Sequence, residues 1–308
     1  MGRLRRARER GGDRPRRTGR EPPYSGTVPE LPEVEITARL LDRALAGAEI
    51  ESALAPGINA LKTIDPPLSA LAGRRIERVR RRGKHLIVEV SDGMALLIHL
   101  MSAGRLQLYD RRAGPRDRTS RLLVRLRDGR ELRLREFGSK QAAWVKLMPA
   151  RELEHDAALS ALGPEAWPDP LPLEQLLDTP RPLHSLLRDQ HTIAGIGRSW
   201  VDEILWSAML SPFKRGEDLD DEERERLAHA ISATLGRALA HYEQAVQLPI
   251  PDKLPMPLQV HRHEGQQCPR CAATLRSVHF EDYVIAYCPV CQTEGRTLKD
   301  RRLSRLLR

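Results

Sequence analysis

Cysteine is nearly absent from this chain of 308 residues: there are four, all within the last fifty. A disulfide framework spread through the fold is thereby excluded. Aromatic residues make up only 4 %, with three Phe, so the core must rest on Leu, Val, Ile and Ala. No stretch approaches the roughly 18 consecutive apolar residues of a membrane-spanning helix, and there is no internal repeat, which excludes a solenoid. The length that remains suffices for two or three domains with a real core.

Acidic residues are outnumbered, 42 against 51 Lys and Arg, a formal charge of +9. Much of that excess stands at the front. Residues 1–28 hold nine Arg and three acids, leaving 42 − 39 = +3 for the remainder. A segment so poor in apolar residues cannot offset its ordering entropy. It lacks the apolar core of a secretory signal, and its acids and prolines do not suit a transit peptide. Two readings are left: a basic nucleic-acid arm, or a mis-set start, with translation beginning at Val28 from an alternative GTG codon in a GC-rich bacterial genome. The mis-set start is the expectation. A second basic run, residues 74–84, holds seven Lys and Arg and one acid. Such a run reads either as a solvated face or as a nucleic-acid contact. The tail 296–308 is basic as well.

Periodicity divides the folded part. Residues 32–46 read as a helix, with Pro32 in the first turn, Glu33 and Glu35 at its positive end and Gly47 to stop it. From 50 to 148 the pattern is of short strands: 85–90 and 95–100 flank a hairpin turn at Ser91-Asp92-Gly93-Met94, and 121–126, 131–135 and 143–147 follow. Together they predict a β-sandwich in an α+β multidomain chain. Residues 150–182 read as a Pro-rich linker with a short helical start. Helices follow at 183–190, 198–209 and 220–246, and the Pro-rich segment 248–257 breaks the chain again. The expected domains are 29–150, 151–257 and 258–308, after a leader of 1–28.

Three patterns carry chemistry. Cys268-Pro-Arg-Cys271 and Cys288-Pro-Val-Cys291 have the spacing of a zinc ribbon, each pair giving two thiolates to one structural, four-coordinate Zn2+. Disulfides are the alternative in an oxidising compartment. Residues 189–206 read as a helix ending in Gly195-Ile196-Gly197, which opens a second helix at Arg198, a helix-two-turn-helix pattern. Glycines there let backbone approach a phosphate at a helix N-terminus. The run Val28-Pro29-Glu30-Leu31-Pro32-Glu33-Val34-Glu35 is the third. A proline within a chain only punctuates it; at a chain's first position it is a secondary amine, and so a nucleophile.

This last run resembles the N-terminus of the formamidopyrimidine-DNA glycosylase/endonuclease VIII family, in which the initiator Met is removed and a Pro-Glu pair carries the chemistry. The two later patterns resemble that family's helix-two-turn-helix domain and zinc finger, in family order, so the likeness spans 29–308. It implies a DNA glycosylase with lyase activity, acting on damaged or abasic double-stranded DNA. Pro29 would be the nucleophile, Glu30 the proton shuttle and Glu33 a support that orients the terminus. Lys84, in Arg-Arg-Gly-Lys-His-Leu, would contact a phosphate beside the lesion. Arg135 and Phe137, in Arg135-Glu136-Phe137-Gly138, would face the orphaned base and wedge the stack, and Gly195, Gly197 and Arg198 would bind phosphate. The cysteines would hold one structural zinc. Three positions depart from the family. Ser102 stands where a gap-filling Met is usual, with Met101 one place earlier and, on a strand, facing the other way. Arg198 replaces an Asn, and Asp282-Tyr283 replaces a Gly-Arg pair whose Arg grips the lesion phosphate. That grip would have to come from elsewhere, such as the basic tail. A bacterial, cytoplasmic, nucleoid-associated monomer is expected. A DNA-structure binder without catalysis is the alternative if the leader is retained; an RNA-binding zinc-ribbon protein fits the Pro-Glu-Leu-Pro-Glu run less well.

Overall fold

The computed structural model describes residues 28–114, 117–137, 141–280 and 283–299, with the side chain of Ile58 excepted. The leader before Val28, Gly138, Asp282 and the tail from Asp300 onward lie outside the described residues.

Helix α1 (Leu31–Leu45) starts where Pro32 sits in the first turn and Glu33 Oε2 accepts the Glu30 amide at 2.9 Å. Its buried positions Leu31, Val34, Ala38, Leu41 and Leu45 recur every three or four residues, the spacing of a one-sided helix. The strands β1 (Ile50–Leu54), β2 (Ile76–Arg82), β3 (His85–Val90), β4 (Met94–His99), β5 (Gly104–Tyr109), β6 (Ser120–Leu126), β7 (Glu131–Glu136) and β8 (Trp144–Pro149) form two antiparallel sheets, ordered β1-β6-β7-β5 and β2-β3-β4-β8. Both sheets contribute to one core with α1: Leu86, Val88, Leu96 and Ile98 from one, Leu106, Leu122, Val124 and Leu134 from the other. The expected sandwich is therefore present.

Strands β3 and β4 are buried on both faces, because Ile87, Ala95 and Leu97 pack outward against Leu153 and Leu159. Residues 150–182, which read as a linker, are thus part of the packing. They carry the short helices α2 (Ala157–Ser160) and α3 (Leu173–Leu177), and Glu165 ties them to β2 through Arg81 and Arg82.

The helical part holds α4 (Leu183–Arg188), α5 (Arg198–Ser207) and α6 (Asp221–Ala245). Asp220 caps α6 by accepting the Glu223 amide at 2.8 Å, and Glu223 returns the contact at 3.1 Å. Helix α6 buries Leu227, Ala230, Ile231, Leu235, Ala238 and Tyr242. The last unit is the hairpin β9 (Arg276–Phe280) and β10 (Tyr283–Tyr287), followed by α7 (Pro289–Thr293). No helix among the described residues is long and apolar enough to cross a membrane.

Candidate active site

The N-terminal segment, the Lys84 turn and the glycine turn meet at one point. Glu30 is 2 % exposed. Its Oε1 accepts the Ser199 amide at 2.9 Å and its Oε2 the Trp200 amide at 3.3 Å. A side chain from the start of the sandwich therefore occupies the positive end of α5, 169 residues on. Leu31 donates its amide to the Gly195 carbonyl at 3.0 Å. A Cβ on Gly197 would stand 2.6 Å from both Glu30 Oε1 and Lys84 Nζ, and one on Gly195, whose φ is +106°, would stand 2.6 Å from Leu31 Cδ1. The close approach these glycines permit is to the protein's own Glu30, Leu31 and Lys84. Gln190 braces the turn, accepting the Gly195 amide at 2.9 Å and donating to the Ile196 carbonyl at 2.6 Å.

Lys84 lies in the two-residue turn between β2 and β3, after Gly83. Burial pulls its pKa below the usual lysine range; Glu30 and Glu33 push it back up, and Arg188 and Arg198 add to the fall. His85, next to it, meets His99 edge-on at 4.6 Å, and His99 stacks on Trp144 at 5.8 Å.

Glu33 is buried among neutral donors. Oε1 accepts the Tyr242 hydroxyl at 2.6 Å and the Trp200 indole at 3.1 Å; Oε2 accepts the Glu30 amide at 2.9 Å. Burial first, then the nearby Glu30, pushes its pKa up to about 7, against the pull of these hydrogen bonds. Tyr242 is held well above the ordinary phenol range by burial and by Glu33, so it stays a donor. Pro29 and Glu33 share a cavity of about 20 Å³ with Arg105, Gln107, Ile250 and Leu254. That is room for one water. The Pro-rich segment 248–257, read as a chain break, closes this cavity: Gln107 donates to the Ile250 carbonyl at 2.7 Å and Arg105 to that of Asp252 at 2.6 Å.

Arg135, on β7, donates to Thr119 at 3.0 Å and to the Tyr109 hydroxyl at 2.7 Å, with its guanidinium 4.5 Å from the half-buried Phe137 ring. These two residues stand together, and Arg135 lies 3.9 Å from Asp252 Oδ1, in the segment that closes the Pro29–Glu33 cavity. Met101 and Ser102 correct an expectation. They lie in the turn between β4 and β5, not on a strand, so alternation of faces does not apply. Met101 takes φ +50° and donates its amide to His99 Nδ1 at 3.0 Å.

The Sγ atoms of Cys268, Cys271, Cys288 and Cys291 all lie within 4.8 Å of one another. Two separations are 3.4 and 3.9 Å. A tetrahedral zinc with bonds near 2.3 Å needs about 3.8 Å between sulfurs, so the set fits one, and no pair is at disulfide length. Cys268 receives the Trp206 indole N–H at 3.3 Å. Burial opposes ionisation there, but the amides of Arg270 and Cys271 and that indole bring its pKa down to about 6.

Sequence reasoning passed over Trp200, Tyr242 and Arg188. Trp200 lay inside the quoted stretch, three residues past Gly197; Tyr242 and Arg188 gave no local sign.

Comparison with known proteins matches this arrangement. Residues 28–139 match the formamidopyrimidine-DNA glycosylase N-terminal domain and residues 162–249 the H2TH domain of the same proteins. A formamidopyrimidine-DNA glycosylase of Desulforamulus reducens is 30 % identical over 280 residues, covering 86 % of this chain and 99 % of that protein. The Lactococcus lactis Fpg in complex with abasic-site DNA superposes with a TM-score of 0.77 at 26 % identity, over 86 % of this chain and 99 % of that one. MutM in complex with carbocyclic 8-oxo-G DNA gives 0.76 at 27 %, over 86 % and 100 %. A buried Pro-Glu pair on a sandwich, braced by a glycine turn and followed by a four-cysteine ribbon, defines a class of DNA-handling fold. This chain belongs to the formamidopyrimidine-DNA glycosylase family.

Proposed function

We propose that the protein is a base-excision-repair DNA glycosylase with lyase activity on damaged or abasic duplex DNA, and that Pro29 is its nucleophile as the first residue of the mature chain. The observation that carries this reading is the convergence of Glu30 and Lys84 on the turn that opens α5, with Pro29, the residue before Glu30, lining the cavity beside Glu33. The family match from residue 28 onward supports it.

A terminal amine with a pKa of about 8 is partly neutral at pH 7. Its lone pair attacks the anomeric carbon of a nucleotide turned out of the stack. The bond to the base breaks, and the base leaves with the electron pair and gains a proton. Glu30, fixed by two amides, takes the proton that the attacking amine sheds and passes it to the sugar ring oxygen; the bond from that oxygen to the anomeric carbon breaks, which opens the ring and leaves an iminium joining Pro29 to the DNA. That cation acidifies the adjacent carbon; loss of its proton expels the 3′ phosphate, and a second elimination frees the 5′ side. Lys84 holds charge beside the reacting sugar, and Glu33 with Tyr242 and Trp200 keeps the Pro29–Glu30 segment in place. Arg135 and Phe137 would face the gap. The cysteine cluster would hold one structural zinc. An acylated Pro29 has no amine and cannot take this route.

Borohydride trapping tests the mechanism. Protein beginning at Pro29 should form a covalent adduct with abasic DNA, and Pro29→Gly should weaken trapping far more than binding. No adduct from a clean Pro29 terminus would rule the lyase out. A retained Arg-rich leader, found by N-terminal sequencing of protein from its own host, would favour a binder without catalysis.

A further inference from the structure

A second cationic group lies beside Glu30 and Lys84, built on an aromatic side chain of the hairpin. Tyr283 is 4 % exposed. Its ring stacks on His184 at 5.3 Å and packs with Phe280 at 5.6 Å. His184 is in turn 3.2 Å from the buried Asp202 of α5, which also accepts the Ala286 amide of β10 at 3.1 Å. The platform is therefore tied to the helical part on two sides. The Arg188 guanidinium lies 3.8 Å from the centre of this ring, and that of Arg198 lies 5.1 Å from it. Arg188 comes from the last turn of α4, Arg198 from the first residue of α5, and Lys84 from the β2–β3 turn. Both arginines are near enough to disfavour the charge on Lys84.

Among the described residues, no carboxylate lies within ion-pair distance of Arg188 or Lys84. This contrasts with Arg80, Arg81 and Arg82 of β2, which are matched to acids. Gathering like charges is unfavourable unless an anion joins them. The α5 amides of Ser199 and Trp200 are already taken by Glu30, so the side chains are what supply positive charge to an incoming anion. A guanidinium stacked on a ring is pre-oriented and presents its N–H edge, which suits a tetrahedral oxyanion.

We propose that Arg188, carried on the Tyr283 ring, is a DNA-phosphate-binding residue, gripping together with Arg198 and Lys84 a backbone phosphate next to the nucleotide at Glu30. This rests on the reading of the site as one that takes DNA. It places the grip on the end of α4, outside the sequence patterns named above.

The test measures binding of a duplex carrying a non-cleavable abasic analogue across a salt series. Arg188→Ala should weaken binding roughly tenfold and lower the slope of log K against log salt by about one. Tyr283→Leu should give a similar loss with its zinc content intact, while Tyr283→Phe keeps the ring and should bind as wild type does. Wild-type affinity and slope in Arg188→Ala, with wild-type protein binding the duplex, overturns this inference alone. Wild-type protein that does not bind the duplex overturns the DNA reading and this inference with it.

Discussion

Two groups of cations in this molecule differ in what they face. The arginines of 74–82 are the densest basic run in the sequence, and Arg74, Arg75, Arg80, Arg81 and Arg82 are occupied by the protein's own acids. Arg81 reaches Glu35 at 2.9 Å and also Glu165, Arg82 reaches Glu165 at 2.6 Å, Arg80 reaches Glu89 at 2.6 Å, and Arg74 reaches Asp92 at 3.0 Å. Lys84, Arg188 and Arg198 are isolated in the sequence and converge in space. A run of basic residues reports local composition; how far it is available to a nucleic acid depends on which of the protein's own acids it already meets.

The comparison can be broken most completely through the metal. Cys288→Ser, or chelation, should abolish DNA binding, because a metal held by the four cysteines would staple the hairpin that presents Tyr283 beneath Arg188. Wild-type protein should hold one zinc by elemental analysis. A variant that loses the metal yet binds DNA normally would uncouple the ribbon from the cationic group. Arg81→Ala should do the reverse. Its side chain is 5 % exposed, between two carboxylates, so its loss should cost about 3 kcal/mol of stability in denaturant unfolding. DNA affinity per folded molecule should not move. An affinity loss with unchanged stability would put β2 on the DNA side of the comparison.

Glu33 sharpens it from the acidic side, since its oxygens meet neutral donors where Glu35 meets two arginines. A carboxyl group raised from 4.5 to about 7 binds its proton more tightly in the folded state. The stability it contributes is full below about pH 4.5 and is lost as pH rises through 7, a change on the order of 3 kcal/mol. Glu33→Gln should therefore gain on wild type between pH 5 and pH 8 in urea unfolding. Parallel pH profiles would mean that Glu33 is charged throughout.

Much of the fold was legible because local signals agreed. The 91–94 turn, α6 against an expected 220–246, and the cysteine spacing each have a chemical cause within a few residues. Strand β2 was masked by its arginines, whose partners come from α1, β3 and the 150–182 segment. The 100–103 turn was misread because the residues of its motif look like a strand, while Met101 adopts a left-handed backbone fixed by His99. At the site, Pro29, Glu30, Lys84 and the glycine turn were visible as patterns. Trp200 and Tyr242 were not, since a buried carboxylate does not announce its donors along the chain.

Glu33 and Tyr242 are separated by 209 residues. At about 5–20 residues per second of synthesis, roughly ten to forty seconds pass between them on the ribosome. The segment that carries Pro29 is the first of the described residues to be made and among the last to acquire its surroundings. Glu30 waits for the two amides of α5, Glu33 for the Tyr242 hydroxyl of α6 and Pro29 for the 248–257 segment that closes its cavity, so the proposed reactive centre is assembled only when most of the chain has been translated.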